Sequence, residues 1–490
     1  MPSNELHNKT PRVLKFFHFV DFGRFYTYCN YYFHREMEEM SQKSLTQGTV
    51  MKTMLLFALP LVLGDLLQQC YNIADTLVVS RAIGPDALAA VGSAFTLMTF
   101  LTSILLGLCL GSGAVFSMRF GEQDYGGLRR AVTSSFVLIG ALSLGLTVLV
   151  FAGMEVILWI MQVPDSLTGM MKDYLYAIFW GIPATFLYNY AASLLRGVGN
   201  SVVPLAFLAF SAVLNVALDL WFVLGFGWGI AGAAWATVIS QYLSGVGLCG
   251  YTLLKYPWLL PKGEELKVTR KGVREIAGYS LLTCVQQSVM NFGILMVQGL
   301  VNSFGPTVMA AFAAAVKIDA FAYLPVQDFG NAFSTFAAQN YGAGQTQRLK
   351  QGFRGAVLAS LGFGLATSIL VWFFAGPLMG LFVDPSQTEI VIQGVNYLQI
   401  EGAFYWGIGW LFLWYGLYRG VGKPGMSVVL TVISLGSRVA LAYALCPEWL
   451  LGVSGIWWAV PIGWFLADAV GFGYYWNKRK KLFLREKSEG

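Results

Sequence analysis

The sequence predicts an all-α polytopic membrane protein, with twelve transmembrane helices in two six-helix lobes related by a parallel internal repeat. Three observations point there. Only 12% of the 490 residues are charged while 56% are hydrophobic, and the mean hydropathy is +0.60. Soluble domains carry about 25% charged residues, so half the usual polar surface is missing. Apolar stretches of about 20 residues, the length that crosses a bilayer as a helix, recur along the chain. The second half of the chain then repeats the first.

Apolar runs between Gly, Pro and charged punctuation predict spans near 52–80, 87–116, 131–154, 169–194, 202–224, 229–254, 275–302, 307–337, 352–374, 391–416, 425–446 and 454–476. Alternate connections are basic: Arg119, Arg129 and Arg130; Arg196; Lys255 through Arg274; Arg348, Lys350 and Arg354; Arg419 and Lys423; and the tail from Lys478 to Lys481. The connections between them are short or hold acids such as Asp86, Asp165, Asp384 and Glu448, with Arg81 the exception. Lysine and arginine excess marks the cytoplasmic side, so both termini are expected there, in the cell inner membrane. The net charge of +6 then reflects topology, and no nucleic-acid partner is expected. The chain is expected to work as a monomer.

Residues 1–45 are aromatic but broken by Lys15, Asp21, Arg24, His34 and Arg35, and they lack a signal-peptide cleavage site. They are read as an extension, either disordered or an over-long start with Met37 or Met40 as the true one. The remaining boundaries are 46–254 for the N-lobe, 255–274 for a cytoplasmic linker, 275–476 for the C-lobe and 477–490 for a basic tail.

The repeat is explicit. Arg196-Gly197-Val198-Gly199 returns as Arg419-Gly420-Val421-Gly422, and the same register of 223 pairs Gly229, Gly232, Trp235 and Ala236 with Gly452, Gly455, Trp458 and Ala459. A register of 221 pairs Gly84-Pro85 with Gly305-Pro306 and Gly121 with Gly342. An even number of spans per repeat inserts both halves in one orientation, with the symmetry axis along the membrane normal.

Ionisable residues inside a membrane are functional candidates by default, since a charge at the bilayer centre costs at least about 2.5–3.5 kcal/mol. The acids of the first half break the repeat: Asp75 maps onto Met296, Asn215 onto Arg438, Asp219 onto Ala442 and Thr237 onto Val460. Asn215 and Asp219 are spaced i, i+4 and share a helix face. Gln68, Tyr71, Asn72 and Asp75 form a polar stripe on span 1, and Pro60 two turns earlier predicts a bend. Carboxylates in lipid need a proton or a cation. No Lys or Arg lies nearby in these spans, which leaves H⁺, Na⁺ or a cationic substrate, and Asp, Asn and Thr all supply oxygen ligands for a hard cation.

The second half has its own buried charges: Lys317, Asp319 and Asp328 in span 8, Glu401 in span 10 and Arg438 in span 11. They divide between structural ion pairs and substrate-facing groups; Lys317 and Asp319, at i, i+2, need outside partners. All three histidines (His7, His18, His34) lie in the extension, which excludes histidine relays, Ser-His hydrolysis and His-ligated metals within the spans. The six cysteines show no CxxC spacing and read as packing residues. Gly227-Trp228-Gly229-Ile230-Ala231-Gly232 matches GxGxxG, but with no strand before it a tight helix connection explains it. No enzyme constellation and no cofactor are expected.

With Ala58-Leu59-Pro60, Tyr71-Asn72-Ile73-Ala74-Asp75-Thr76, the two Arg-Gly-Val-Gly loops, Asn215-Val216-Ala217-Leu218-Asp219 and Gly229 through Thr237, the chain resembles the multidrug and toxic compound extrusion (MATE) family over residues 45–476. The resemblance implies a V of two lobes that extrudes organic cations in exchange for Na⁺ or H⁺. It implies that Asp75, Asn215, Asp219 and Thr237 hold the coupling ion and that Pro60 is the helix-bending proline. The glutamate that another branch carries in span 7 has no match here, where only Gln286 and Gln287 occur. A related lipid-linked oligosaccharide flippase is the alternative. Arg438 and Lys317 favour it; the carboxylates of the first lobe oppose it.

Overall fold

The structure is a computed structural model and describes residues 44–161, 163 and 165–484. The three histidines and all but the last two residues of the predicted extension lie outside the described residues, as do residues 485–490 of the tail.

The twelve spans are present, two of them broken. The first lobe holds α1 (Val50–Ala82), α2 (Pro85–Gly121), α3 (Tyr125–Ala152), α4a (Asp165–Phe179), α4b (Gly181–Gly197), α5 (Val202–Asp219) and α6 (Gly229–Lys255). The second holds α7 (Arg270–Asn302), α8 (Pro306–Gly342), α9 (Thr346–Met379), α10a (Thr388–Gly402), α10b (Tyr405–Gly420), α11 (Pro424–Leu445) and α12 (Val453–Leu482). The two breaks, at Trp180 and at Ala403–Phe404, correspond in the 223 register. Pro183 in the first turn of α4b has no N–H to continue a helix from α4a, which helps fix the first break. Among the described residues nine helices are long and apolar enough to span a bilayer; the four half-helices of spans 4 and 10 are too short to count singly, and α6 is long enough but less apolar.

Large apolar side chains cover the outer faces. Val148 is 68% exposed and Phe373 75%, which is the pattern of a lipid-facing surface. Inside, large buried aromatics such as Phe116, Phe333 and Trp457 alternate with glycines at which backbones approach closely, as helices packing in lipid do. The repeated Arg-Gly-Val-Gly motif has a conformational cause: Gly199 and Gly422 both adopt positive φ (97° and 79°) in the turns that end α4b and α10b.

The lobes exchange the first parts of their leading helices. Leu45, Met54, Phe57, Ala58 and Leu61 are buried in one core with Phe333 and Phe336 of α8, Phe353 of α9 and Tyr418 of α10b, all of the second lobe. Val79, near the other end of α1, belongs to the core of the first lobe. Reciprocally, Ile276 of α7 sits in the first-lobe core, while Val297, Leu300 and Val301 sit in the second. Pro60 lies where α1 passes from one lobe to the other, and Gly64 already packs on Leu205 and Leu208 of α5.

The lobes are shut against each other at the end that carries the basic loops. Gly121 of α2 lies on the Gln339 carbonyl of α8, and its repeat mate Gly342 lies on the Met118 carbonyl of α2. Ahead of α1, Leu45 N donates to Gln339 Oε1 (2.9 Å), and Arg348 donates to the carbonyls of Leu45, Gln47 and Gly48 at 3.1, 2.7 and 2.6 Å. Leu45, the last residue of the predicted extension, is thus clasped by the second lobe.

The connection between lobes is ordered rather than loose. Glu265 receives Arg129 in a two-pronged ion pair (2.6 and 2.7 Å), which ties the linker to α3. Burial barely offsets this, so the guanidinium and the Lys262 N–H hold the Glu265 carboxyl below the usual glutamate range. At the far end α12 runs six residues beyond its predicted limit of 476, because Leu482 and Phe483 bury against the second lobe.

Candidate functional site

α1, α5 and α6 bring the four predicted first-lobe residues together. Asn215 (2% exposed) lies 3.2 Å from Asp219 Oδ2 and 3.1 Å from Thr237 Oγ1; with its nitrogen toward the carboxylate it donates to Asp219 and accepts from Thr237. The Thr237 backbone N–H donates to the same amide oxygen at 3.2 Å. The Asp75 carboxyl stands beside that of Asp219, within reach of a shared hydrogen bond. Asp75 Oδ1 and Asp219 Oδ1 are both buried without a hydrogen-bond partner.

Local backbone chemistry aims Asp219. It is the last α-helical residue of α5, and Leu220–Gly225 continue as a π-helical turn before the glycine-rich connection to α6. Single π turns recur at functional sites because the widened turn re-aims the adjacent side chains. Gly227 and Gly229, with φ of 68° and 59°, make the connection possible, which accounts for the GxGxxG match.

Of the stripe on α1, Tyr71 shares the surroundings of both acids, while Gln68 is exposed and Asn72 partly so. Tyr174 of α4a, not anticipated from sequence, stands with Tyr71 beside the acids. Its repeat mate is Tyr397, so the register could have found it. Beside the Asn215 amide nitrogen, the polar atoms around the acids are carboxyl and hydroxyl oxygens, and among the described residues neither acid makes a salt bridge. Such a set suits a proton or a hard monovalent cation.

The second-lobe charges also gather, in a different way. Asp319 of α8 is surrounded by Tyr397, Tyr405 and Arg438, and Glu401 accepts from Tyr397 Oη at 2.9 Å. Arg438 thus occupies, in the 223 register, the place of Asn215 and brings a fixed positive charge to its two acids. Trp457 stacks on Phe312 (5.4 Å, 7°) and meets Tyr397 edge-on, closing the cluster. Lys317 is exposed and does not join Asp319. A helical i, i+2 spacing places the two about 200° apart, which is the reason.

Two acids escaped the sequence reading. Asp65 of α1 meets Asp328 of α8, with Arg196 within electrostatic range of both. Asp65 lies one turn before Gln68, so the polar stripe could have been extended to it. Asp468 of α12 is 7% exposed, and neither of its carboxyl oxygens has a partner.

Two exchanged lobes, each with its own buried acids and only the first with the Asp75–Asp219 set, define a two-lobed, multi-pass membrane transporter. The MatE family profile matches this chain twice, over residues 60–221 and 281–444, one copy per lobe. The chain belongs to the MatE family, the multidrug and toxic compound extrusion transporters. It is 31% identical to the "Probable multidrug resistance protein YpnP" of Bacillus subtilis over 91% of this chain and all of that one. Its fold is similar to that of a MOP superfamily transporter from Pyrococcus furiosus (TM-score 0.83, 22% identity, covering 91% of this chain and 98% of the other). It is equally similar to a MATE crystallised in the bent conformation (TM-score 0.83, 22% identity, 91% and 97%).

Proposed function

We propose that the protein exports organic, mainly cationic and amphiphilic compounds in exchange for Na⁺ or H⁺ by alternating access. It acts as a monomer in the inner membrane with both termini in the cytoplasm. The observation that carries this reading is the convergence of Asp75, Asn215, Asp219 and Thr237 in one lobe only, at the end of a helix whose other end is packed in the opposite lobe.

A coupling ion works only if it binds one conformation better than another. Filling the space between Asp75 and Asp219 draws α1 toward α5, and α1 transmits that movement past Pro60 into the second lobe. Proline interrupts the helical hydrogen bonding and so makes bent and straight forms of α1 close in energy. The basic-loop end is shut here, which fits a state open to the opposite side. The multidrug naming of YpnP supports the substrate class.

The second-lobe cluster suits substrate selection rather than ion coupling, because Arg438 supplies a tethered cation. The flippase alternative has less support: the carboxylates of the first lobe would repel a pyrophosphate. The test is efflux of a fluorescent organic cation from vesicles under an imposed Na⁺ or pH gradient. Efflux that ignores both gradients would remove the antiport reading.

A further inference from the structure

One contact between the lobes has no part in the ion site. Asp65 of α1 and Asp328 of α8 stand carboxyl to carboxyl near the middle of their helices. By the 221 register Asp65 corresponds to Gln286 and Asp328 to Gly107, so each half contributes one acid that the other half lacks. Asp328 is 5% exposed, and its Oδ2 is buried with no partner; so is Arg196 Nε.

The charged and titratable neighbours of the pair come from α4b, α8 and α10b. Arg196 and Tyr188 of α4b and Tyr323 of α8 face Asp65, and Arg196 also acts on Asp328. The Asn331 side chain meets Asp328, and its Oδ1 accepts from Arg419 Nη2 at 2.8 Å; Arg419 Nε also donates to Ser334 Oγ at 3.0 Å. Arg419 thus reaches Asp328 through Asn331, while its repeat mate Arg196 acts on both acids. Among the described residues Arg196 alone acts on both, and it compensates only one of two carboxylates. If both ionise, one negative charge stays uncompensated and the lobes repel at this point.

We propose that Asp65 and Asp328 form a latch between the lobes that holds only while a proton or small monovalent cation lies between the two carboxyls. Occupied, the pair keeps α1 on α8 and the basic-loop end shut. Emptied, the carboxylates repel and release that end. The latch rests on the alternating-access reading but uses different residues: Asp75 and Asp219 meet within one lobe, whereas Asp65 and Asp328 meet across two.

The test is the distance between spin labels at Lys255 and Lys350, exposed residues at the basic ends of α6 and α9. The full-length chain, with its native cysteines replaced by serine, is measured in nanodiscs without substrate or Na⁺. The unmutated pair is expected to move the labels apart as the pH is raised, and Asp65→Asn or Asp328→Asn to keep them close throughout. An amide donates to the remaining carboxylate as the shared proton does. Asp328→Lys, which pairs with Asp65 as an ion pair, should also keep them close and serves if an Asn variant does not fold. Asp468→Asn, at a buried acid of α12 outside both acid clusters, should retain the pH response. Labels that do not respond to pH, Asn or Lys variants that open as the parent does, or loss of the response in Asp468→Asn would each overturn the latch. Failure of the export reading would leave the distance change intact. Failure of the latch would leave gradient-driven efflux sensitive to Asp75→Asn.

Discussion

Asn215 and Asp219 face each other across one turn of α5 at 3.2 Å, and that short amide–carboxylate contact orients the whole first-lobe site. It leaves Asp219 Oδ1 free to meet whatever lies between it and Asp75.

Asp75→Asn and Asp219→Asn are expected to abolish ion-driven efflux while leaving expression and thermal stability near normal, because the amide preserves volume. Glu401→Gln and Asp319→Asn should instead change which compounds are exported. Efflux against imposed Na⁺ and pH gradients separates the two groups. If Glu401→Gln alone lost gradient dependence, the coupling ion would belong to the second lobe.

Pro60→Ala restores a helical hydrogen bond and removes a ring clash, together about 3 kcal/mol in favour of a straight helix. Expression should be unchanged and turnover slower, measured as initial efflux rate at saturating substrate. An unaltered rate would mean that the passage of α1 between lobes does not depend on bending there.

A chain beginning at Met40 keeps the clasp made by Gln339 and Arg348 on Leu45 through Gly48, and is expected to insert and export like the full chain. A chain beginning at Met51 loses it. Hydrogen bonds from a guanidinium contribute about 1.5–3 kcal/mol each in favourable cases, so a lower melting temperature and weaker closure of the basic end should follow.

Gly121→Leu places a side chain against the Gln339 carbonyl, where backbone now touches backbone. Overpacking of this kind costs about 1–3 kcal/mol. The substitution should favour the parted state at the basic end, read as increased labelling of Ala338→Cys by a thiol reagent. Labelling equal to that of the Gly121 parent would show that this closure tolerates separation.

Glu265 is held below its ordinary value of 4.5 by Arg129. A depressed folded-state value stabilises docking above the unfolded value, and that contribution fades as the pH falls through the folded one. The linker should therefore stay on α3 at neutral pH and loosen only in acid below 4.5. Hydrogen exchange across residues 256–269 measures this, and Glu265→Gln should flatten the pH dependence.

The membrane class, the twelve spans, the duplication and the four first-lobe residues that break it were legible in the chain alone. Each follows from local or self-similar signals: hydropathy over one span, Gly and Pro punctuation, and acids present in one repeat and missing from the other. Asp75 and Asp219 were legible because a carboxylate in an apolar run has few reasons to exist. Packing between distant segments set the exchange of α1 and α7 between lobes, the gathering of Asp319, Glu401 and Arg438, and the meeting of Asp65 with Asp328. None of these is encoded within a single helix. How closely α2 approaches α8 is decided at Gly121 and Gly342, where backbone meets backbone between segments far apart in the chain.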